Sequence, residues 1–196
     1  IQSDNKQTHL SIFLKAKSME LEGKKIIHME VGEPDFLPPE IVKKALTEVF
    51  DKGFLKYGQA QGMPLFRDAI AKYSSKKFGA SVSKDNIIVS PGARFSIFIT
   101  INTLLNPGDE LIIIEPAWPA YKECALNSGV KVRVISTTLE GKWEPTIEQI
   151  KKVINANTKM IVLNYPNNPT GKILPERLQD EIVNLAIENN LYILSD

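Results

Sequence analysis

From Tyr57 onward, short apolar runs alternate with segments of helical period, and this alternation constrains the fold more than any other feature. Residues 86–90, 111–114, 130–135, 159–163 and 191–194 are apolar or β-branched runs bounded by turn residues. Each is too short for a helix and reads as a buried strand. Helical spacing predicts helices over 63–78 and 95–105, one ending at Asn127, a short one around 147–154, and one starting at Pro175. In the 63–78 helix, Leu65, Phe66, Ala69, Ile70 and Tyr73 are expected inward, and Arg67, Asp68, Lys72, Lys76 and Lys77 outward. Strand-helix alternation of this kind calls for an α/β fold in three layers, α/β/α, with a mostly parallel sheet. Ahead of it stand a short helix over roughly 7–22, stopped by Gly23, and a helix that opens at Pro38-Pro39-Glu40 and closes at Gly53. Residues 138–146 read as a surface connection, with Trp143 plugging an edge.

Three places in this frame carry residues suited to chemistry. The strand at 159–163 runs into Asn164-Tyr165-Pro166-Asn167-Asn168-Pro169-Thr170-Gly171, where prolines fix φ and remove backbone donors. That stiff loop presents Asn168 where the strand ends, and the strand at 191–194 ends in Ser195-Asp196. The carboxyl ends of strands in an open α/β sheet are where ligands bind, so an amide and a carboxylate are expected to face one crevice. At the third place, Pro91-Gly92-Ala93-Arg94 turns from a strand into a helix. Small residues there let an anion approach unpaired N–H groups and the positive helix end, and Arg94 is expected to add a fork of charged donors.

Composition narrows the function classes. Lys+Arg number 24 against 23 Asp+Glu, spread along the chain, which gives no nucleic-acid footprint. No apolar run approaches the ~18 residues needed to span a bilayer, and the polar start is not a signal peptide. Cys124 is the sole cysteine, so an intrachain disulfide is impossible; a reducing, cytoplasmic setting is expected. No Gly-x-Gly-x-x-Gly or Gly-x4-Gly-Lys-Ser/Thr occurs, which argues against dinucleotide and P-loop sites.

Asn-Asn-Pro-Thr-Gly followed by a helix and a strand ending in Ser-Asp resembles the fold-type I, pyridoxal-phosphate-dependent aminotransferases of class I/II, of which aspartate aminotransferase is the best-known member. The resemblance runs from Val31 to Asp196 with the motifs in the family's order. It implies an incomplete large cofactor-binding domain over 39–196, preceded by an arm and small-domain segment over 1–38. It also implies pyridoxal 5′-phosphate as cofactor. Asp196 would pair with the pyridine nitrogen, Asn168 donate to the phenolic oxygen, and Gly92, Ala93 and Arg94 hold the phosphate. Ala93 and Arg94 depart from the family's usual Ser-Gly-Thr or Gly-Gly-Lys but keep a small residue followed by a donor. Trp118, in Glu115-Pro116-Ala117-Trp118, would stack on the ring face; Tyr121, one turn on, is left out of the site. Gly32, in Gly-Glu-Pro-Asp-Phe, would bring its backbone beside the substrate carboxylate. Tyr57, in a Tyr-Gly-x-x-x-Gly loop, would reach the phosphate of the other subunit, which implies a homodimer.

The implied substrates are an amino acid, aspartate or a similar one, and a 2-oxo acid such as 2-oxoglutarate, with no nucleic acid and no membrane. The family's Schiff-base lysine, in a Ser/Thr-x-x-Lys setting, is expected beyond Asp196, as is the arginine that grips the α-carboxylate. Ser74-Ser75-Lys76-Lys77 sits at a helix end before the phosphate turn and is not that lysine. With no initial Met and a stop at Asp196, the chain reads as the N-terminal part of a longer protein, inactive by itself. The rival readings are a related pyridoxal-phosphate lyase or synthase, and a non-catalytic ligand-binding module of the same fold.

Overall fold

The structure, a computed structural model, describes residues 9–32, 34–53 and 56–196. Glu33 of the Gly-Glu-Pro-Asp-Phe stretch and the expected helix start at residue 7 lie outside the described residues. The chain divides into two units, Ile1–Tyr57 and Gly58–Asp196.

In the first unit α1 (His9–Leu21) stops at Gly23, which takes a left-handed φ of 82° and bonds back to the Glu20 carbonyl at 2.9 Å. The chain returns along α1 through residues 24–30, and His28 binds it there. One ring nitrogen lies 2.8 Å from Glu20 Oε1 and the other 2.6 Å from Glu30 Oε1. α2 (Glu40–Asp51) starts where Pro39 and Glu40 suit a helix N-terminus, and its apolar stripe of Ile41, Leu46, Val49 and Phe50 remains exposed.

The second unit begins with α3 (Pro64–Phe78), and here the expected facing is corrected. Leu65, Phe66, Ala69 and Tyr73 are exposed and Ile70 is half-buried, whereas Arg67 and Ala71 are buried. Arg67, only 5% exposed, donates from Nε and Nη2 to the Lys84 carbonyl at 3.1 and 2.7 Å, and from Nε to that of Ile87 at 2.9 Å. Those carbonyls belong to the first residue and the C-cap of a 3-10 turn, Lys84–Asn86, closed by a Ser83/Asn86 capping box. The expected strand over 86–90 does not form among the described residues. Residues 87–90 belong to no sheet, and their link to the preceding loop is Val89 N to Gln61 O at 2.9 Å. A β-rich run becomes a strand only where a partner strand accepts its ladder bonds.

After α4 (Ala93–Leu104) the chain enters a sheet of four parallel strands: β1 (Glu110–Glu115), β2 (Lys131–Ser136), β3 (Thr158–Leu163) and β4 (Tyr192–Ser195), in the order β2-β1-β3-β4. The crossovers are α5 (Ala120–Asn127), α6 (Ile147–Val153) and α7 (Glu176–Glu188). Residue alternation on β1 separates the layers. Leu111 and Ile113 join Ile97 and Ile101 of α4 and Cys124 and Ala125 of α5; Ile112 and Ile114 join Ile150 of α6 and Ile182 and Leu185 of α7. This is the expected α/β/α sandwich, its central strand buried on both faces. Trp143 lies half-buried in the turn before α6. At the amino edge of the sheet, Glu110 is buried and receives Arg133 at 2.7 and 2.8 Å and Asn155 Nδ2 at 2.7 Å. The hydrogen bond from Arg133 is the main cause holding the Glu110 carboxyl below its usual range. The amino edge is thereby closed, and the carboxyl edge is left to the loops.

Candidate active site

Because the strands are parallel, β1, β3 and β4 end on one edge, and the residues following each end interlock. After β1, Pro116 and Ala117 lead to Trp118, whose half-buried indole packs on the core. One turn further Tyr121 is completely buried, with its ring edge-on to Trp118 at 5.7 Å between centroids and 88° between planes. The Tyr121 hydroxyl donates to Asp196 Oδ2. Burial, reinforced by that bond and by the Asp196 charge, pushes the phenol well above its ordinary pKa, so it stays a donor. Asp196 is set in place by the β3-β4 pairing, which its own N–H extends to the Leu163 carbonyl at 3.1 Å.

Asn164 closes the other side. Its Nδ2 donates to the Asp196 carbonyl at 3.3 Å, and its Oδ1 accepts from the Asn168 N–H at 2.8 Å. The next two asparagines then divide the work. Asn167 is buried and spends its side chain on the fold, donating to the Pro116 carbonyl at 3.2 Å and accepting from Thr170 N at 3.1 Å and Thr170 Oγ1 at 2.8 Å. Asn168 is exposed, and its side-chain amide has no partner among the described residues. Of the adjacent pair, Asn168 is the one free to meet a ligand.

The third corner is the start of α4. Gly92 caps it at φ 88° and ψ 158°, a left-handed φ that a side chain would strain. The N–H groups of Ala93 and Arg94 have no partner among the described residues, as the first turn of a helix requires. The hydroxyls of Ser90 and Ser96 lie 2.5 Å apart beside them. The Arg94 side chain corrects the expectation of a free charged fork. Its Nη2 donates to Glu123 Oε2 of α5 at 2.6 Å, and its guanidinium carbon lies 5.9 Å from the centre of the Trp118 ring. The Arg94 side chain is thus paired with a carboxylate of α5, and its backbone N–H is the group left open.

These contacts run without a break from Arg94 to Trp118, Tyr121, Asp196, Asn164 and Asn168. The network is built from the second unit alone. Gly32 and Tyr57 lie in the first unit, both exposed. A wider cleft of about 650 Å³ between α3 and residues 82–85 shares no residue with the network. Lys76 and Lys77 sit in the last turn of α3, with Lys77 bonded to Tyr73 at 3.0 Å, as expected of a solvated helix end.

The free groups fit pyridoxal 5′-phosphate by their chemistry. Unpartnered N–H groups suit a phosphate, with the mutually bonded Ser90 and Ser96 hydroxyls beside them, and an indole suits a flat ring. A carboxylate with one oxygen uncommitted suits a protonated ring nitrogen, and a free amide suits a phenolic oxygen. Tyr121 and Asn164 are the residues that motif reading missed. Tyr121 announces itself only as an aromatic one helical turn after Trp118, and Asn164 as an amide at a strand end.

Residues 24–196 match the family described as Aminotransferase class I and II. The aspartate aminotransferase of Thermotoga maritima is 34% identical over 182 residues, 93% of this chain and 48% of that protein. The aspartate/prephenate aminotransferase of Thermus thermophilus is 34% identical over 188 residues, 95% of this chain and 49% of that protein. A solved structure of aspartate aminotransferase from Thermus thermophilus with maleate superposes with a TM-score of 0.93 at 32% identity, covering 98% of this chain and 50% of that one. The chain spans about half the length of the curated relatives it matches.

Proposed function

The chain belongs to the class I and II aminotransferases, and from that premise we propose that it supplies the cofactor cradle of a pyridoxal-phosphate-dependent aminotransferase. The reaction moves an amino group from an amino acid, aspartate or one like it, to a 2-oxo acid such as 2-oxoglutarate. The observation that carries this reading is the unbroken contact chain from the start of α4 to Asn168.

The roles follow from the groups left free. The free N–H groups of Ala93 and Arg94 bind the phosphate at the positive end of α4, and the hydroxyls of Ser90 and Ser96, now bonded to each other and to the Gly92 carbonyl, turn to it. Trp118 covers one face of the ring and keeps water from it. Asp196, oriented through Oδ2 by Tyr121, keeps a proton on the ring nitrogen. Asn168, aimed by the bond from its N–H to Asn164, donates to the phenolic oxygen. When bound, the cofactor supplies an electron sink for a breaking Cα–H bond. In the same reading residues 1–38 form an arm and small-domain segment and 39–196 part of the large domain. Gly32 lies by the substrate carboxylate, and Tyr57 reaches the phosphate of a second subunit in a cytoplasmic homodimer. Among the described residues no lysine belongs to the contact chain, and the 196-residue stretch by itself is expected to be inactive.

The test is amino transfer by the full-length protein loaded with cofactor, using aspartate and 2-oxoglutarate first. Asp196→Ala is expected to lower turnover at least about a hundredfold, the scale of removing one preorganised charged partner. Undiminished turnover in that variant, or no transfer between any amino acid and 2-oxo acid by the loaded protein, would defeat the reading.

A further inference from the structure

Trp118 is held from two directions. Tyr121 meets it edge-on at 5.7 Å, and the Arg94 guanidinium lies over the ring at 5.9 Å. Arg94 is in turn tied to Glu123 at 2.6 Å, from the helix that also carries Tyr121. An exposed arginine by itself gains little by resting on a ring, because its long side chain must be ordered to stay there. Glu123 supplies that ordering, since the carboxylate bond restrains one end of the guanidinium and leaves its face for the indole. Both charged side chains are about half exposed or more, at 64% and 51%, so as an isolated surface pair they would be worth little. The placement beside Trp118 is what gives the pair a use.

We propose that the Arg94–Glu123 pair is a positioning device for Trp118, fixing the indole at the angle at which it covers the cofactor ring. The inference rests on the reading of Trp118 as that cover. It also gives Arg94 a double role: its backbone N–H belongs to the phosphate end and its side chain to the ring end, so one residue sets the spacing between them. Lysine at this position would keep the charge but lose the flat surface, and glutamine at 123 would keep the shape but lose the charge.

The experiment uses the full-length protein without cofactor, labelled with 15N at the indole nitrogens. The Trp118 signal is identified by its disappearance in Trp118→Phe, and its relaxation reports ring motion directly. Arg94→Met and Glu123→Gln are each expected to increase that motion and move the signal. The double variant should go no further than Arg94→Met alone, because both changes break one device. Arg94→Lys should fall between. Affinity for pyridoxal 5′-phosphate, read by titration, is expected to drop about three- to tenfold in Arg94→Met. A Trp118 signal unchanged in both single variants, with melting curves showing them folded, would overturn the proposal. If Trp118→Phe instead binds the cofactor as well as the parent does, the reading of Trp118 as ring cover fails, while the relaxation result still judges the clamp.

Discussion

At the scale of single residues, the site turns on a division between groups that are spent and groups that are free. Asn167 and Asn168 are neighbours of one type, yet the first is consumed by Pro116 and Thr170 and the second is left with an unengaged amide. Tyr121 is the spent group that matters most, since its hydroxyl orients Asp196. Tyr121→Phe keeps the ring against Trp118 and is expected to cost about 1 kcal/mol of stability, where Tyr121→Ala would cost about 3–5. In the full-length protein the same Tyr121→Phe change should weaken pyridoxal 5′-phosphate binding about tenfold, one charged hydrogen bond's worth. Equal affinity in a titration would show that Asp196 needs no orienting donor. The sequence placed Trp118, Asn168 and Asp196 after strand ends within motifs, and the structure brings all three into one contact chain. The sequence hid Tyr121 and Glu123, whose roles depend on which neighbour they meet across space. The Arg94 side chain, read from its place beside a helix start as a free donor, is paired with Glu123, a neighbour the sequence does not show.

At the scale of elements, periodicity found the helices and the strands of the sheet but misjudged what lies against α3. Spacing points the Leu65, Phe66 and Tyr73 stripe inward; the structure leaves it exposed and buries Arg67, which holds the carbonyls of Lys84 and Ile87. An arginine that satisfies a turn's carbonyls leaves no mark in a hydrophobic pattern. Arg67→Met should therefore destabilise the protein by about 1–3 kcal/mol in urea unfolding; a neutral result would mean water replaces it freely. The residues at 86–90 failed as a strand for a related reason, because pattern specifies a surface to be covered and not the partner that covers it. In α1 the fastening is ionic. His28 bonds Glu30 first and Glu20 second, which raises its pKa above the ordinary value against a smaller opposing effect of burial. The stabilisation this gives is complete below the ordinary histidine pKa of about 6.5 and is lost as pH rises through the higher folded value. Titration of the His28 ring signal should show a midpoint above the ordinary one, and Glu30→Gln should bring it down. An unmoved midpoint in that variant would remove Glu30 as the main cause.

At the scale of the whole molecule, the second unit is one device: a parallel sheet, with Glu110 and Arg133 paired at its amino edge, that delivers two loops, Asp196 and a helix start to its carboxyl edge. The layered architecture was legible from the alternation of short apolar runs with helical segments, since few other folds accept that order. The linkage was not, because it depends on residues more than fifty positions apart, as with the Tyr121 hydroxyl and Asp196 or the Asn167 amide and the Pro116 carbonyl. This linkage is proposed to hold pyridoxal 5′-phosphate. Its most direct test is a crystal structure of the full-length protein with the cofactor bound. The phosphate is expected on the N–H groups of Ala93 and Arg94, the ring against Trp118, the ring nitrogen within hydrogen-bond distance of Asp196, and Asn168 on the phenolic oxygen. A cofactor bound with its ring nitrogen away from Asp196, or its phosphate away from the start of α4, would contradict it.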